Sequence, residues 1–406
     1  MRDVRSIISK LTWLSDTHIH ASQYPNAGIF GKTTLMSWLE KYTFPTEASL
    51  SSIPIAKRVY NRVIARTLSH GTTTAAYYAT IDVASTNLLA DLCLKKGQRA
   101  LVGRCCMDSL SPDYYRDESA AQSLQRTEEC IHHVRSIDPN FELVSPIITP
   151  RFAPSCSSEL LHSLGKLAKE TDLPIQTHIS ENHGEISLVR DLFPNSKHYT
   201  DVYDTHSLLG PKTILAHCVH LSDSERDIIK ARETKVSHCP TSNSSITSGA
   251  ARVRWLLDAG IDVGLGTDMS GGYSPSVLEA TRQAILVSRH VAMAQKSEAE
   301  TERVKLSVEE VLYLATRGGA KVVGMADKVG GFEVGKEWDA QLVGLDIVAE
   351  DGEVGGNDRE EGPGGPVDVF GWESDEDKVA KWVFSGDDRN TRKVWVKGRL
   401  VHERRD

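Results

Sequence analysis

Residues 13–20 read Trp-Leu-Ser-Asp-Thr-His-Ile-His, a short strand-like run that closes with two histidines. The pattern predicts a β-strand over residues 13–17, with His18 and His20 at its carboxyl end. Because successive side chains of a strand point to opposite faces, residues two apart point to the same face. The two imidazoles therefore form half of a candidate metal site, although an H-x-H pair alone could also be two unrelated loop histidines.

Histidine or aspartate also stands at the end of four later runs with strand character. These residues are His178 (with Glu181 three positions later), His217, His238 and Asp268. Each one alone could be a core histidine or a helix-capping aspartate. Five strand ends that supply such residues together are hard to explain by chance, so we expect a metal site where the strands end. We expect His238 to shape a loop rather than to bind metal.

Apolar runs and helical patterns alternate along most of the chain, which predicts an α/β fold. The expected strands are residues 13–17, 72–78, 100–106, 142–148, 174–179, 213–217, 235–239 and 262–267. The expected helices are residues 86–96, 119–136, 157–171, 222–233, 250–259, 275–294 and 307–323. Eight strands in this order favour a (β/α)8 TIM-type barrel, whose catalytic groups gather at the carboxyl ends of the strands. A doubly wound sheet is the alternative, but it does not explain why metal-type residues end five strands.

Two regions follow from this pattern. Residues 15–325 would form the barrel, and two stretches of residues 326–406 alternate like strands, which predicts a small β-rich domain. Between those stretches, residues 349–366 are acidic and rich in glycine. Such a segment cannot bury enough apolar area to offset its ordering entropy, so we expect a mobile loop, with an acidic interaction tail as the alternative.

The composition narrows the class of protein. Of 406 residues, 47 are basic and 55 acidic, which gives a formal charge of −8 and argues against electrostatic capture of nucleic acid. No apolar run reaches the length of a membrane span, and the first ten residues make a poor signal peptide. The seven cysteines are scattered and include no C-x-x-C pair, which fits a reducing cytosol.

The candidate ligands also indicate which metal to expect. Imidazole nitrogens with one carboxylate suit zinc, and iron is the second choice. Two-metal barrels usually need a bridging group, often a modified lysine at the end of the fourth strand. Here that strand ends in Ile147-Ile-Thr-Pro-Arg-Phe152, with no lysine. We therefore expect a single metal ion.

Four motifs stand out in the chain: Asp16-Thr-His-Ile-His-Ala-Ser-Gln-Tyr24, Trp38-Leu-Glu-Lys-Tyr-Thr-Phe-Pro-Thr-Glu47, His238-Cys-Pro-Thr-Ser-Asn243 and Gly266-Thr-Asp-Met-Ser-Gly-Gly-Tyr-Ser-Pro275. Together they resemble the metal-dependent amidohydrolase superfamily and, within it, the guanine deaminase family. The resemblance runs from about residue 15 to the C-terminus. The superfamily motifs fit many hydrolases and deaminases, whereas the Tyr-Thr-Phe-Pro-Thr-Glu and Pro-Arg-Phe segments are typical of the guanine-deaminating members.

The resemblance implies one zinc ion per subunit and the hydrolytic deamination of guanine to xanthine and ammonia. The metal ligands would be His18, His20, His178 and Asp268. Three residues would be catalytic: Glu181 as the proton shuttle, Asp268 as acceptor of the water proton, and His217, which would orient water or substrate. The family also implies a homodimer in the cytosol.

The residues implied to bind guanine are Gln23, Arg151, Phe152, Glu181, His217 and Asp268. By similarity, Arg151 would contact the carbonyl oxygen, Phe152 would pack on the ring, and Gln23 would contact ring nitrogens. The alternatives are a loop salt bridge for Arg151, core packing for Phe152 and a plain loop position for Gln23. A polar pocket of this kind rejects a base that lacks the matching groups, so adenine would be excluded. The sequence does not decide the roles of His183 and His220.

Family members carry a further segment before the first barrel strand, which forms part of a small β-sandwich. Only 14 residues precede Ser15 here, so we expect residues 1–14 to be a truncated N-terminal segment, through a mispredicted start or splice or in a shortened isoform. We also expect the tail strands near Phe332 and Trp395 to lack partners. Two other functions remain open: deamination or hydrolysis of another aminated heterocycle, and a non-catalytic scaffold.

Overall fold

The computed structural model describes residues 9–12, 14–348 and 365–404. Most of the acidic Gly-rich segment expected at 349–366, and residues 1–8 of the segment at 1–14, lie outside the described residues. The strands are, in chain order, β1 Ser9–Thr12, β2 Leu14–His20, β3 Thr72–Tyr78, β4 Arg99–Gly103, β5 Cys105–Cys106, β6 Val144–Pro146, β7 Thr149–Pro150, β8 Ile175–Ile179, β9 Thr213–His217, β10 Lys235–His238, β11 Val263–Leu265, β12 Ala340–Val343, β13 Asp346–Ile347, β14 Asp368–Val369, β15 Thr391–Val396 and β16 Arg399–Glu403.

Helices alternate with most of these strands, as an α/β fold requires. They are α1 Leu35–Trp38, α2 Phe44–Ser49, α3 Ile53–Ser69, α4 Val83–Lys96, α5 Ala120–Ile137, α6 Ser158–Thr171, α7 His183–Leu192, α8 Tyr199–Thr205, α9 Asp223–Ala231, α10 Pro240–Ser245, α11 Val253–Asp258, α12 Val277–Met293, α13 Glu298–Val304, α14 Val308–Tyr313, α15 Gly319–Val322 and α16 Asp375–Ser385. Within the described part of the chain, no helix has both the length and the apolar character that crossing a bilayer would require.

Local sequence signals set several helix boundaries. Ser307 begins α14 through a capping box, in which its hydroxyl accepts from the Glu310 amide and the Glu310 carboxylate accepts from the Ser307 amide. Gly97 ends α4 with a φ of 77°, a left-handed conformation that glycine adopts without strain. The expected α/β alternation is confirmed.

Eight parallel strands form two four-stranded sheets, in the orders β2-β3-β4-β6 and β8-β9-β10-β11. Backbone hydrogen bonds connect the two sheets at both edges. On one side the Gln176 amide donates to the Ile148 carbonyl at 2.9 Å, and on the other the Asp268 amide donates to the His18 carbonyl at 2.9 Å. The carboxyl ends of all eight strands therefore lie on one side of the fold.

The region after residue 325 contributes an antiparallel sheet in the order β1-β12-β15-β16. The expectation that the strand near Trp395 lacks partners is wrong, because β15 lies between β12 and β16. Phe332 lies outside every strand, in a turn-rich segment. Residues 9–12 supply a strand that pairs with β12, so the N-terminal segment takes part in this sheet.

A buried cluster of charged side chains connects this sheet to the parallel strands. The Arg99 side chain, at the start of β4, is 1% exposed. It donates to a carboxylate oxygen of Glu337 at 2.7 Å and to Asp339 at 3.1 Å. Asp339 also accepts from the Lys397 amide at 2.8 Å. One guanidinium thus joins the two parts of the molecule.

Replacing Asp339 by alanine is expected to lower the free energy of unfolding by about 3–5 kcal/mol, because it leaves the buried Arg99 charge with only part of its compensation. Urea denaturation measures the change. The matched control is Glu170→Ala, which breaks an exposed pair with Lys166 at 3.7 Å and should cost about 0–1 kcal/mol. Equal urea midpoints for the two variants would contradict the role given to Arg99.

Candidate active site

The carboxyl ends of the parallel strands bring the predicted metal ligands together. His18 and His20 belong to β2 and His178 to β8, and Asp268 follows β11 by three residues. The ligand atoms of these four side chains all lie within 4.8 Å of one another. Asp268 Oδ1 is 3.2 Å from His18 Nε2 and 3.4 Å from His20 Nε2.

The cluster fits a metal ion. His18 Nε2 lies in the cluster and is buried without a hydrogen-bond partner among the described residues. His20 Nε2 lies 3.1 Å from His178 Nε2, a contact between two ring nitrogens that a shared cation would explain. Burial lowers the pKa of His18, His20 and His178, so these imidazoles are neutral, which is the form that binds metal. Three imidazoles with one carboxylate match the donor set of zinc.

Hydrogen bonds from neighbouring groups hold the ligands in place. His178 Nδ1 contacts the Arg151 carbonyl oxygen at 2.6 Å, which fixes the tautomer of this ring. The Asp16 carboxylate accepts from the Thr267 amide at 3.0 Å and from the Thr267 hydroxyl at 2.6 Å. This contact ties the end of β11 to β2 and so sets Asp268 beside the two histidines of β2.

Glu181 and His217 form a second group next to the cluster. Glu181 Oε2 is 3.5 Å from His217 Nε2, and its Oε1 accepts from the Ser248 hydroxyl at 2.8 Å. Burial raises the pKa of Glu181 to about 7. Burial alone would lower the pKa of His217, but the negative charges of Glu181 and Asp268 raise it. The pair can therefore hold or release a proton near neutral pH.

The backbone is strained at the same place. His217 has a φ of 74° and Asp268 a φ of 45°, in the left-handed region that residues other than glycine rarely occupy. Such a conformation costs of order 1–3 kcal/mol and persists where surrounding contacts impose it. One of these contacts is the hydrogen bond between His217 Nδ1 and Asn243 Oδ1, which are 2.8 Å apart.

A partly open cavity lies beside the metal-type residues. Leu35, Trp38, Leu39 and Ile246 give it an apolar wall. Its polar side chains include Gln23, Arg151, Glu181 and Asp268. A few polar groups that converge in an apolar cavity can fix the orientation of a flat, polar heterocycle.

Arg151, Phe152 and Gln23 each combine a place on the cavity wall with contacts to neighbouring side chains. Each of the three lines the cavity. Arg151 is also held in a salt bridge by Glu47, and Phe152 also packs in an apolar cluster with Trp38 and Ile246. Gln23 is 1% exposed and donates to Glu47 at 2.7 Å, so it is not a plain loop position.

The remaining histidines lie outside the four-residue cluster. His238 is buried, and neither ring nitrogen has a hydrogen-bond partner among the described residues. The rings of His183 and His220 lie 3.8 Å apart, and His220 Nε2 contacts the Ser248 carbonyl oxygen at 2.7 Å. This pair therefore supports the residue that bonds Glu181. Cys239 also lies near His18 and His217, but burial raises the pKa of its thiol, which disfavours the thiolate that a metal needs.

Sequence reasoning gave no role to Asp16, Glu47, Asn243 or Ser248. The first three stand inside the quoted motifs, which was the available signal. Ser248 lies in a segment with no such pattern and reaches Glu181 across 67 positions of sequence.

Comparisons with known proteins agree with this geometry. The sequence model of the amidohydrolase family matches residues 14–401. The chain is 51% identical over 388 residues to a "probable guanine deaminase" of Schizosaccharomyces pombe. This alignment covers 96% of this chain and 70% of that protein. It is 42% identical over 394 residues to the guanine deaminase of Homo sapiens, covering 96% of this chain and 82% of that protein. The crystal structure of guanine deaminase from C. acetobutylicum with guanine bound in its active site superposes with a TM-score of 0.85 at 37% identity, over 98% of this chain and 87% of that one.

Proposed function

We propose residue roles from the premise that this chain belongs to the amidohydrolase family and, within it, to the guanine deaminases. The chain catalyses the hydrolytic deamination of guanine to xanthine and ammonia. The observation on which the roles rest is that four metal-type ligands and an acid of raised pKa, Glu181, meet at a cavity that Arg151 and Gln23 also line.

The metal would be one zinc ion per subunit, held by His18, His20, His178 and Asp268. When bound, zinc supplies a water molecule whose pKa is brought down towards neutrality. The unpaired His18 Nε2 and the ligand atoms that all lie within 4.8 Å of one another support this assignment.

Two acids would move the protons of the reaction. Asp268 accepts a proton from the attacking water, and the water oxygen forms a bond to C2 of guanine. Glu181 delivers a proton to the adjacent ring nitrogen, so that C2 becomes tetrahedral without a build-up of negative charge. Asp268 then passes its proton to the amino group, the C2–N bond breaks, and ammonia leaves. The proton of the new C2 hydroxyl returns to Glu181, which leaves the C2 carbonyl of xanthine. His217 lies 3.5 Å from Glu181 and 3.8 Å from Asp268 and would orient the water or substrate between them.

The cavity residues would bind guanine through hydrogen bonds to its edge and through packing on its face. Arg151 donates to the carbonyl oxygen, Gln23 bonds the ring nitrogens, and Phe152 packs against the ring. Their positions on the cavity wall support these roles. A base without the carbonyl would leave a buried guanidinium donor unpaired, which is costly.

The barrel architecture, the oligomeric state and the location in the cell also belong to this proposal. The two linked parallel sheets would form the (β/α)8 barrel of residues 15–325, and residues 326–406 would form the small β-rich domain together with β1. The hydrogen bonds at both edges support a closed arrangement. The enzyme would work in the cytosol as a homodimer, as family members commonly do. Light scattering on the purified chain measures its oligomeric state.

The first experiment measures ammonia and xanthine release from guanine by the purified chain, with zinc content assayed on the same sample. A panel of other aminated heterocycles, such as pterins and triazines, runs beside it. Turnover highest on guanine is the expected result. Zinc-loaded protein that is inactive on guanine but active on another heterocycle would overturn the substrate assignment, and inactivity on every compound would favour a scaffold.

Replacing Ser248 by alanine is expected to move the basic limb of the kcat/KM profile to higher pH. Glu181 must be protonated to act as the acid, so activity is present below its pKa of about 7 and is lost as the pH rises through it. The Ser248 hydroxyl favours the carboxylate and lowers this pKa, so its removal raises the pKa. The pH profile of the variant measures the shift. Ser248→Thr keeps a hydroxyl and should keep the original limb, and a shift of the alanine variant to lower pH would contradict the assignment.

A further inference from the structure

Glu47 lies behind the cavity wall. Its carboxylate accepts four hydrogen bonds, all from side chains in the site region. Its Oε1 accepts from Gln23 Nε2 at 2.7 Å and from Arg151 Nη2 at 3.2 Å. Its Oε2 accepts from Arg151 Nη1 at 2.6 Å and from the Tyr115 hydroxyl at 2.7 Å. The Glu47 side chain is fully buried, and the cavity wall includes Arg151 and Gln23 but not Glu47. Glu47 therefore touches the candidate substrate-binding groups from the side away from the substrate.

These contacts restrict both groups that would read the base. Two parallel N–H···O bonds to one carboxylate fix the plane of a guanidinium, so Arg151 cannot rotate its remaining donors away from the cavity. The same carboxylate takes one amide hydrogen of Gln23, while Gln23 Oε1 accepts from the Ser270 amide at 3.3 Å. The orientation of that carboxamide is therefore fixed, because its NH2 group donates to Glu47 and its oxygen accepts from Ser270.

The pair also sets the charge of the cavity. Arg151 is 2% exposed, and a buried cation without a partner would attract any anion strongly in a water-poor site. Glu47 cancels that charge at hydrogen-bond distance. Guanine is neutral near pH 7, whereas xanthine is the stronger acid and is partly anionic there. A neutral Arg151–Glu47 pair thus accepts the substrate without retaining the product.

We propose that Glu47 is a positioning residue that determines specificity: it aims Arg151 and Gln23 at the purine edge and neutralises Arg151 so that the neutral base is preferred over the anionic product. This inference rests on the proposed function and deepens it. It assigns a role to the last residue of the motif that ends in Phe-Pro-Thr-Glu47.

The test compares guanine with 2-aminopurine, which carries the same amino group at C2 but no carbonyl at C6. Glu47→Gln is expected to lower kcat/KM for guanine about 100-fold, the usual effect of misplacing binding groups by about 1 Å, mainly through KM. The value for 2-aminopurine should fall far less, because that base makes no use of Arg151. Inhibition by xanthine should become tighter and should strengthen as the pH rises, since the cation is then unpaired.

The matched control is Asp339→Asn, which weakens a different buried arginine–carboxylate pair, the one with Arg99. This variant should lower the melting temperature while leaving the guanine to 2-aminopurine ratio and the xanthine inhibition as in the wild type. A structural defect alone would therefore be recognised.

Each outcome decides something. An inactive wild-type chain would overturn the proposed function and this inference with it. An active wild type with equal losses on both substrates in Glu47→Gln, and unchanged xanthine inhibition, would overturn this inference alone. If Glu47→Gln does not fold, Tyr115→Phe removes one of the four hydrogen bonds without changing any charge. It should reduce the guanine to 2-aminopurine ratio by a smaller factor, and an unchanged ratio would count against the role of Glu47.

Discussion

Glu181→Gln is expected to lower kcat on guanine by about 10²–10⁴-fold, the usual contribution of a positioned acid–base group. Glutamine keeps the size of the side chain and an oxygen that can accept from Ser248, but it cannot release a proton. Zinc content should change little, because Glu181 is not among the four clustered ligands. The loss should appear mainly in kcat, since the missing proton is needed for the chemical step.

Steady-state kinetics with parallel metal analysis measures this result. The control is Glu225→Gln, another buried glutamate, which caps α9 away from the cavity through Ser222. It should keep its kcat. A Glu181→Gln enzyme with wild-type kcat would show that another group supplies the proton, and a variant that lost zinc would place Glu181 among the ligands instead.

His20→Ala is expected to lose both zinc and activity. Removal of one imidazole from a set of four ligands should reduce the zinc content at fixed free zinc by more than about tenfold, since even partners of ligands change metal affinity by about 10–100-fold. Atomic absorption on the dialysed protein gives the stoichiometry. Chelation of the wild type should abolish turnover, and added zinc should restore it in the wild type but not in His20→Ala.

His238→Gln is the matched variant for this experiment. His238 is similarly buried and ends β10, yet it lies outside the cluster. Its zinc content should stay at the wild-type value. If His238→Gln loses zinc while His20→Ala keeps it, the ligand set derived from the strand ends is wrong.

The α/β alternation and the metal cluster could be predicted because each depends on local patterns. A strand that ends in His or Asp is visible in a few residues, and parallel strands place those ends on one side of the fold. The boundaries were less predictable. Residues 142–148 were expected as one strand, but the ladder is divided into β6 and β7, where Pro146 and Pro150 lack an amide hydrogen to donate. The helices α3 and α16 were not expected at all.

The roles of Glu47 and Ser248 could not be predicted from patterns of this kind. Glu47 meets Arg151 across 104 positions of sequence, and neither residue lies in a periodic segment that would place it. A carboxylate in a short helix is usually a solvated group, and only the packing shows that this one is buried against a guanidinium. Contacts between segments so far apart in sequence depend on the tertiary fold, which local patterns do not describe.

The metal cluster draws on the first and the last of the parallel strands, and this has a consequence for how the chain acquires its metal. Asp16 and Thr267, whose contact sets Asp268 beside His18, are 251 positions apart in sequence. Contacts of such high sequence separation form late in folding, because a long segment must be closed before they gain any energy. A metal ion held by these residues would therefore bind after the two sheets meet. Its uptake during refolding is expected to report that meeting, and a chain cut between the sheets is expected to lose the metal.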